Sequence, residues 1–116
     1  MNGWIGVDLD GTLAEQDPAN PHAFEIGEPI PAMVARVRRW LDEGRDVRIF
    51  TARVSHDGPY SGDFMQQRAI DRWTINVFGR ALPVTCRKDD FCIALYDDLA
   101  VQVQRNTGLL LAEHEP

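Results

Sequence analysis

Apolar and polar positions follow two alternating rhythms along this chain. The run Trp4-Ile5-Gly6-Val7, with Leu9 beyond it, predicts a buried strand over residues 4–9. Met33, Val34, Val37, Trp40 and Leu41 then recur at the spacing of one helix face, with Arg36, Arg38, Arg39, Asp42 and Glu43 on the solvated face opposite. Pro31 suits the first turn of that helix and Gly44 its stop. Val47 to Phe50 predict a second short strand. Met65, Ala69, Ile70, Trp73 and Val77 give a second helix a buried stripe, capped by Ser61 or Asp63 and ending near Gly79. Pro83 to Cys86 and Phe91 to Tyr96 predict a third and a fourth strand. Val101-Gln102-Val103 alternates, Asn106-Thr107-Gly108 is a turn signal and Leu109 to Leu111 is apolar, so a terminal hairpin or fifth strand is expected before a loose tail over 113–116.

Residues 11–31 hold Pro18, Pro21, Pro29 and Pro31 with Asn20 and Gly27, and they predict a loop or short flap. The order of strands and helices, with a crossover between successive strands, argues for an α/β fold: a small doubly wound, Rossmann-like, mostly parallel sheet flanked by helices. A chain of 116 residues is one domain by length, so residues 1–116 are read as a single unit. Trp40 and Trp73 sit at core positions, whereas Trp4, at a strand start, is expected to be partly exposed. Cys86 and Cys92 lie on what read as neighbouring strands and have no zinc spacing, so buried free thiols are expected.

Charge narrows the function classes. The formal net charge is −6, which withholds the electrostatic footprint of a general nucleic-acid binder, although it does not exclude a nucleic-acid end as substrate. No apolar run is long enough to span a membrane, and the start lacks the basic and apolar regions of a signal peptide, so a cytoplasmic location is expected.

Candidate chemistry gathers at predicted strand ends. Asp8-Leu9-Asp10-Gly11-Thr12 puts two carboxylates two residues apart as the first strand finishes, and side chains at i and i+2 of a strand share a side. Two such acids are costly without a cation or a proton between them. Thr51 ends the second strand, and Asp97-Asp98 end the fourth. In a parallel sheet all of these reach one crevice at the carboxyl edge. Carboxylates with a hydroxyl and a lysine suit Mg²⁺ and phosphoryl transfer, which needs positioning and charge neutralisation above all.

These segments resemble the motifs of the haloacid dehalogenase superfamily of phosphohydrolases, in the family order. Asp8 to Thr12 resemble the first motif, Ile49-Phe50-Thr51-Ala52-Arg53 the second, Lys88 the basic third, and Tyr96-Asp97-Asp98 the acidic fourth. The resemblance implies that Asp8 is the nucleophile and forms an aspartyl-phosphate. Asp10 is then the general acid and base, with a backbone carbonyl on the metal. Thr51 bonds a phosphoryl oxygen, and Lys88 supplies counter-charge, with Arg87 beside it as the alternative. Asp98 is the preferred metal ligand of the acidic pair and Asp97 orients the ion's waters, although the two roles are exchangeable. Residues 13–30, and the four residues between Cys86 and Phe91, are too few for a cap, so a capless member is expected.

The expected activity is Mg²⁺-dependent hydrolysis of a small phosphate monoester. Phosphatases acting on nucleotides or nucleic-acid ends are an alternative within the same chemistry. A metal- and phosphate-binding module with little turnover is a rival, and a signalling receiver domain is disfavoured because D-x-D comes first and the paired acids last. A homodimer is left open. Arg53 is read as either a substrate-anion ligand or an ion-pair partner. His22, His56 and His114 are read as solvated.

Overall fold

The computed structural model describes residues 2–55 and 63–112, and in it the apolar runs become a four-stranded sheet. The strands are β1 (Trp4–Val7), β2 (Asp46–Phe50), β3 (Val84–Thr85) and β4 (Cys92–Tyr96). Their order across the sheet is β3-β2-β1-β4, and every pairing is parallel. Helix α1 (Pro31–Asp42) joins β1 to β2, and α2 (Asp63–Phe78) lies between β2 and β3. β1 is therefore central, with β2 on one side and the late strand β4 on the other.

Alternation along the strands sorts their side chains into two faces. Ile5 and Val7 of β1 and Val47 and Ile49 of β2 share one cluster with Met33, Val34, Val37 and Trp40 of α1, Ile70 of α2 and Leu82. α1 begins at Pro31, whose missing N–H costs nothing in a first turn, and it stops where the Gly44 N–H donates to the Leu41 carbonyl. Leu9, Leu13 and Ala14, just after β1, are fully buried in the same cluster and anchor the base of the following loop.

Trp4, on the other face, is only 1% exposed. Its ring stacks against Phe50 at 6.4 Å, the Arg48 guanidinium lies 4.8 Å above it, and its indole N–H donates to Asp89 at 2.8 Å. The expectation of partial exposure fails because the 86–91 segment, crossing from β3 to β4, brings Asp89 against the ring. Those two strands form opposite edges, so Cys86 and Cys92 do not lie on neighbouring strands. Both thiols are free, as expected, but half-buried.

The inward face of α2 is rotated from the expected one. Gln66, Ile70 and Thr74, spaced four apart, are buried, whereas Met65 is 56% exposed. Trp73 and Val77 flank the buried line and are half-buried. Gln66 is buried because its side-chain oxygen accepts from Arg53, which apolar periodicity does not foresee. The capping expectation at Ser61 falls outside the described residues, as do the side chain of Asp63, His56 and the 113–116 tail with His114.

After β4 the chain forms the expected hairpin-like turn. Val103 bridges Leu110 antiparallel, with Gln104 N–H to Leu109 O at 2.7 Å. No fifth strand joins the sheet among the described residues. The flap is zipped at its neck by Glu15 N–H to Glu28 O and Ile30 N–H to Leu13 O, both 2.8 Å. No helix among the described residues is long and apolar enough to cross a membrane.

The rotation of α2 has a direct test in urea denaturation. Ile70→Ala should lower the unfolding free energy by about 2–5 kcal/mol through the cavity it leaves. Met65→Ala, on the exposed side, should stay within about 0.5 kcal/mol of the parent.

Candidate functional site

β1 ends at Val7, and the Asp8 N–H donates to the Tyr96 carbonyl at 2.9 Å. Tyr96 is the last residue of β4 and the register partner of Val7. The pairing that sets β4 beside β1 thus carries Asp97 and Asp98 to the point where Asp8 leaves the sheet. One carboxylate oxygen from each of Asp8, Asp97 and Asp98 lies within 4.8 Å of the others.

Two neighbours shape this cluster. Gly11 has φ +90°, and a Cβ there would stand 2.8 Å from Asp98 Oδ2, so a glycine is what lets this carboxylate reach the turn. The Thr12 hydroxyl lies 2.9 Å from Asp98 Oδ1 and 3.4 Å from Asp8 Oδ2, and its oxygen accepts the Asp98 N–H at 3.0 Å. A hydroxyl has one hydrogen, so Thr12 serves the nearer oxygen, that of Asp98. Asp97 Oδ1 accepts the Leu99 N–H at 2.7 Å, which fixes one side of that carboxylate.

Crowded acids compete for ionisation. The Asp8 carboxyl is pushed up from 3.8 to about 8, first by burial, then by its hydrogen bond with Asp98 and by the charges of Asp97 and Asp98. Without a cation the cluster therefore retains a proton near neutrality. A divalent cation would displace that proton and leave Asp8 ionised. The donor set is all oxygen and anionic, which fits a hard divalent ion and is not selective for Mg²⁺.

Asp10 goes elsewhere. The strand alternation that would set it beside Asp8 stops at Val7, and a turn follows in which Leu13 and Ala14 N–H groups both donate to the Leu9 carbonyl. Leu9 is buried, and the Asp10 side chain stands outside the acidic cluster. Both Asp10 oxygens accept from Arg53, Oδ2 from Nε at 2.7 Å and Oδ1 from Nη2 at 2.9 Å. Of the two expectations for Arg53, ion pairing is the one found.

Thr51 closes β2 and is 3% exposed; its side-chain oxygen accepts the Arg53 N–H at 3.1 Å, opening a single 3₁₀ turn over Ala52–Val54. Lys88 is exposed on the 86–91 segment, and no ion pair joins it to Asp8, Asp97 or Asp98. Arg87 beside it is also exposed, its backbone held by Thr85. His22 is exposed on the flap. The structure thus brings together Asp8, Asp97, Asp98 and Thr12, pairs Asp10 with Arg53, and forms no ion pair between Lys88 and these acids. Gln66 had no signal in the sequence, since a glutamine on a helix reads as solvent-facing.

Neither protein-family models nor searches of curated proteins and of solved structures yield a match to this chain.

The sign of the Asp8 shift sets a pH dependence. The folded chain holds a proton on Asp8 up to about pH 8, whereas the unfolded chain releases it near 3.8. Between those values the folded state binds the extra proton, so its stability falls as pH rises. In chelator, the melting temperature of the parent should therefore fall relative to that of Asp8→Asn as pH rises from about 5 to about 8, and Mg²⁺ should remove the difference in slope. Parallel pH profiles in chelator would contradict the burial and crowding of Asp8. Gly11→Ala should abolish the Mg²⁺-induced rise in melting temperature by displacing Asp98.

Proposed function

We propose that this chain is a Mg²⁺-dependent phosphatase of the haloacid dehalogenase type, hydrolysing a small phosphate monoester through an aspartyl-phosphate on Asp8. The observation that carries this reading is the meeting of Asp8 with Asp97 and Asp98 at the carboxyl ends of two adjacent parallel strands. The strand order runs outward in both directions from β1, as in a doubly wound, Rossmann-like sheet, whose ligands bind where that order reverses. We take the chain as capless, because the flap and the 86–91 segment are both short.

In this mechanism Asp8 attacks phosphorus through a carboxylate oxygen, and the bond to the leaving oxygen breaks. Asp10 enters the cycle protonated and gives that proton to the leaving oxygen. It then takes a proton from the water that attacks the phosphoryl group on Asp8, which releases inorganic phosphate and restores both acids. Asp8 and Asp98, with Asp97 beside them, would hold the ion, and the resemblance adds the Asp10 backbone carbonyl. When bound, Mg²⁺ would neutralise the clustered acids and polarise a phosphoryl oxygen. Thr51 already accepts the Arg53 N–H through its oxygen, so its own hydrogen is left to donate to the phosphoryl group. Lys88, with Arg87 as its alternative, is the candidate counter-charge. The substrate is a small phosphorylated molecule, the location cytoplasmic, and no membrane partner is invoked.

A binding module with little turnover is favoured by one feature, the lack of an ion pair between Lys88 and the clustered acids. Phosphate release from an aryl phosphate separates the two readings. The phosphatase reading expects release in Mg²⁺, none in chelator, and loss to background in Asp8→Asn with the fold intact. Mg²⁺-dependent stabilisation without release from any of a panel of phosphorylated metabolites would favour the binding module. Full activity in Asp8→Asn would reject the mechanism.

A further inference from the structure

We propose that Arg53 is a positioning residue: it latches the flap to the Asp10 carboxylate, so that the orientation of this acid and the docking of the flap depend on each other. The catalytic consequence, though not the latch itself, rests on the reading of Asp10 as the proton carrier.

Arg53 is 2% exposed, and each of its guanidinium N–H groups has an acceptor. Nε and Nη2 grip the two Asp10 oxygens at 2.7 and 2.9 Å, a fork that fixes the plane of the carboxylate as well as its place. Nη1 donates to the Phe24 carbonyl at 2.7 Å and to Gln66 Oε1 at 3.0 Å. Nη2 also donates to the Ala23 carbonyl at 3.0 Å, with the Glu25 carbonyl at 3.4 Å. Three consecutive flap carbonyls therefore curve around one buried guanidinium, which also grips Asp10. The flap path is set by a side chain outside the flap, and that side chain is held by the acid that the chemistry uses.

Lysine cannot replace this geometry. Its three N–H bonds diverge from one point, whereas the contacts here need a planar fork and two further donors on separate nitrogens. An open cleft of about 470 Å³ is lined by Asp10 and Arg53 together with flap residues, Glu15, Ile26, Gly27 and Glu28 among them. A leaving group entering this cleft would meet the Asp10 carboxylate at the angle the latch imposes. The flap can be disturbed without touching the latch. A Cβ on Gly27 would come within 2.1 Å of the Glu15 carbonyl, so Gly27→Ala forces the flap legs apart.

Positioning of a proton donor has a signature that a merely structural role lacks. Aryl phosphates with good leaving groups need little protonation, whereas alkyl phosphates need it fully. Arg53→Lys and Gly27→Ala should each lower kcat/KM on an alkyl phosphate about 10-fold more than on p-nitrophenyl phosphate. Amide hydrogen exchange over residues 19–27 should quicken in Arg53→Lys and in Asp10→Asn, whose amide group would turn a donor toward the guanidinium. Equal losses on the two esters would overturn the catalytic consequence, and unchanged flap exchange in both Arg53→Lys and Asp10→Asn would overturn the latch. If the parent protein hydrolyses neither ester in Mg²⁺, the phosphatase reading fails, and the exchange data alone decide the latch.

Discussion

Three carboxylates held within 4.8 Å of one another repel, and the rest of the site follows from the way this fold imposes that crowding. The pairing of β1 with β4 is the cause. It places the residue after Val7 beside the residues after Tyr96, and the Asp8 N–H locks the junction onto the Tyr96 carbonyl. Gly11 then lets the turn pass against Asp98, and Thr12 holds that acid through both its backbone and its side chain. In the cluster alone, burial first and then the neighbouring acids favour a proton on Asp8. A divalent cation would relieve the repulsion better and would leave Asp8 ionised.

The second acid of the D-x-D segment has a different environment, and the separation is a consequence of packing. Leu9 is driven into the core between the two acids, and the backbone turns as it leaves β1. Asp8 is sent toward other carboxylates, and Asp10 toward a buried guanidinium. Neighbours in sequence thereby acquire opposite electrostatic surroundings. The same guanidinium reaches the flap carbonyls, so the geometry of Asp10 is tied to the loop that borders the cleft.

Most of this framework is legible in the sequence where one residue type admits one explanation. The apolar runs before Asp8, Thr51 and Asp97 give the strands, the stripe from Met33 to Leu41 gives α1, and the ends of those strands locate the acids. Other features depend on which elements become neighbours. Strand order is set by crossovers, so the opposite placement of Cys86 and Cys92 follows from the sheet and not from their spacing. Trp4 is buried by a segment some eighty-five residues later, through Asp89. The face of α2 is turned by Gln66, a polar residue that is inside because Arg53 is inside. Alternation also misleads at Asp10, because it describes strands and β1 has already ended. Lys88 is exposed and no ion pair joins it to the acids, which basic character and order along the chain do not reveal.

The most direct measurement of the central claim is a crystal of the parent protein soaked in Mn²⁺, read by anomalous scattering. The account predicts one strong peak between the carboxylates of Asp8 and Asp98, with Asp97 close by and Asp10 still facing Arg53. A peak elsewhere, or a cluster that remains metal-free at saturating Mn²⁺, would contradict it.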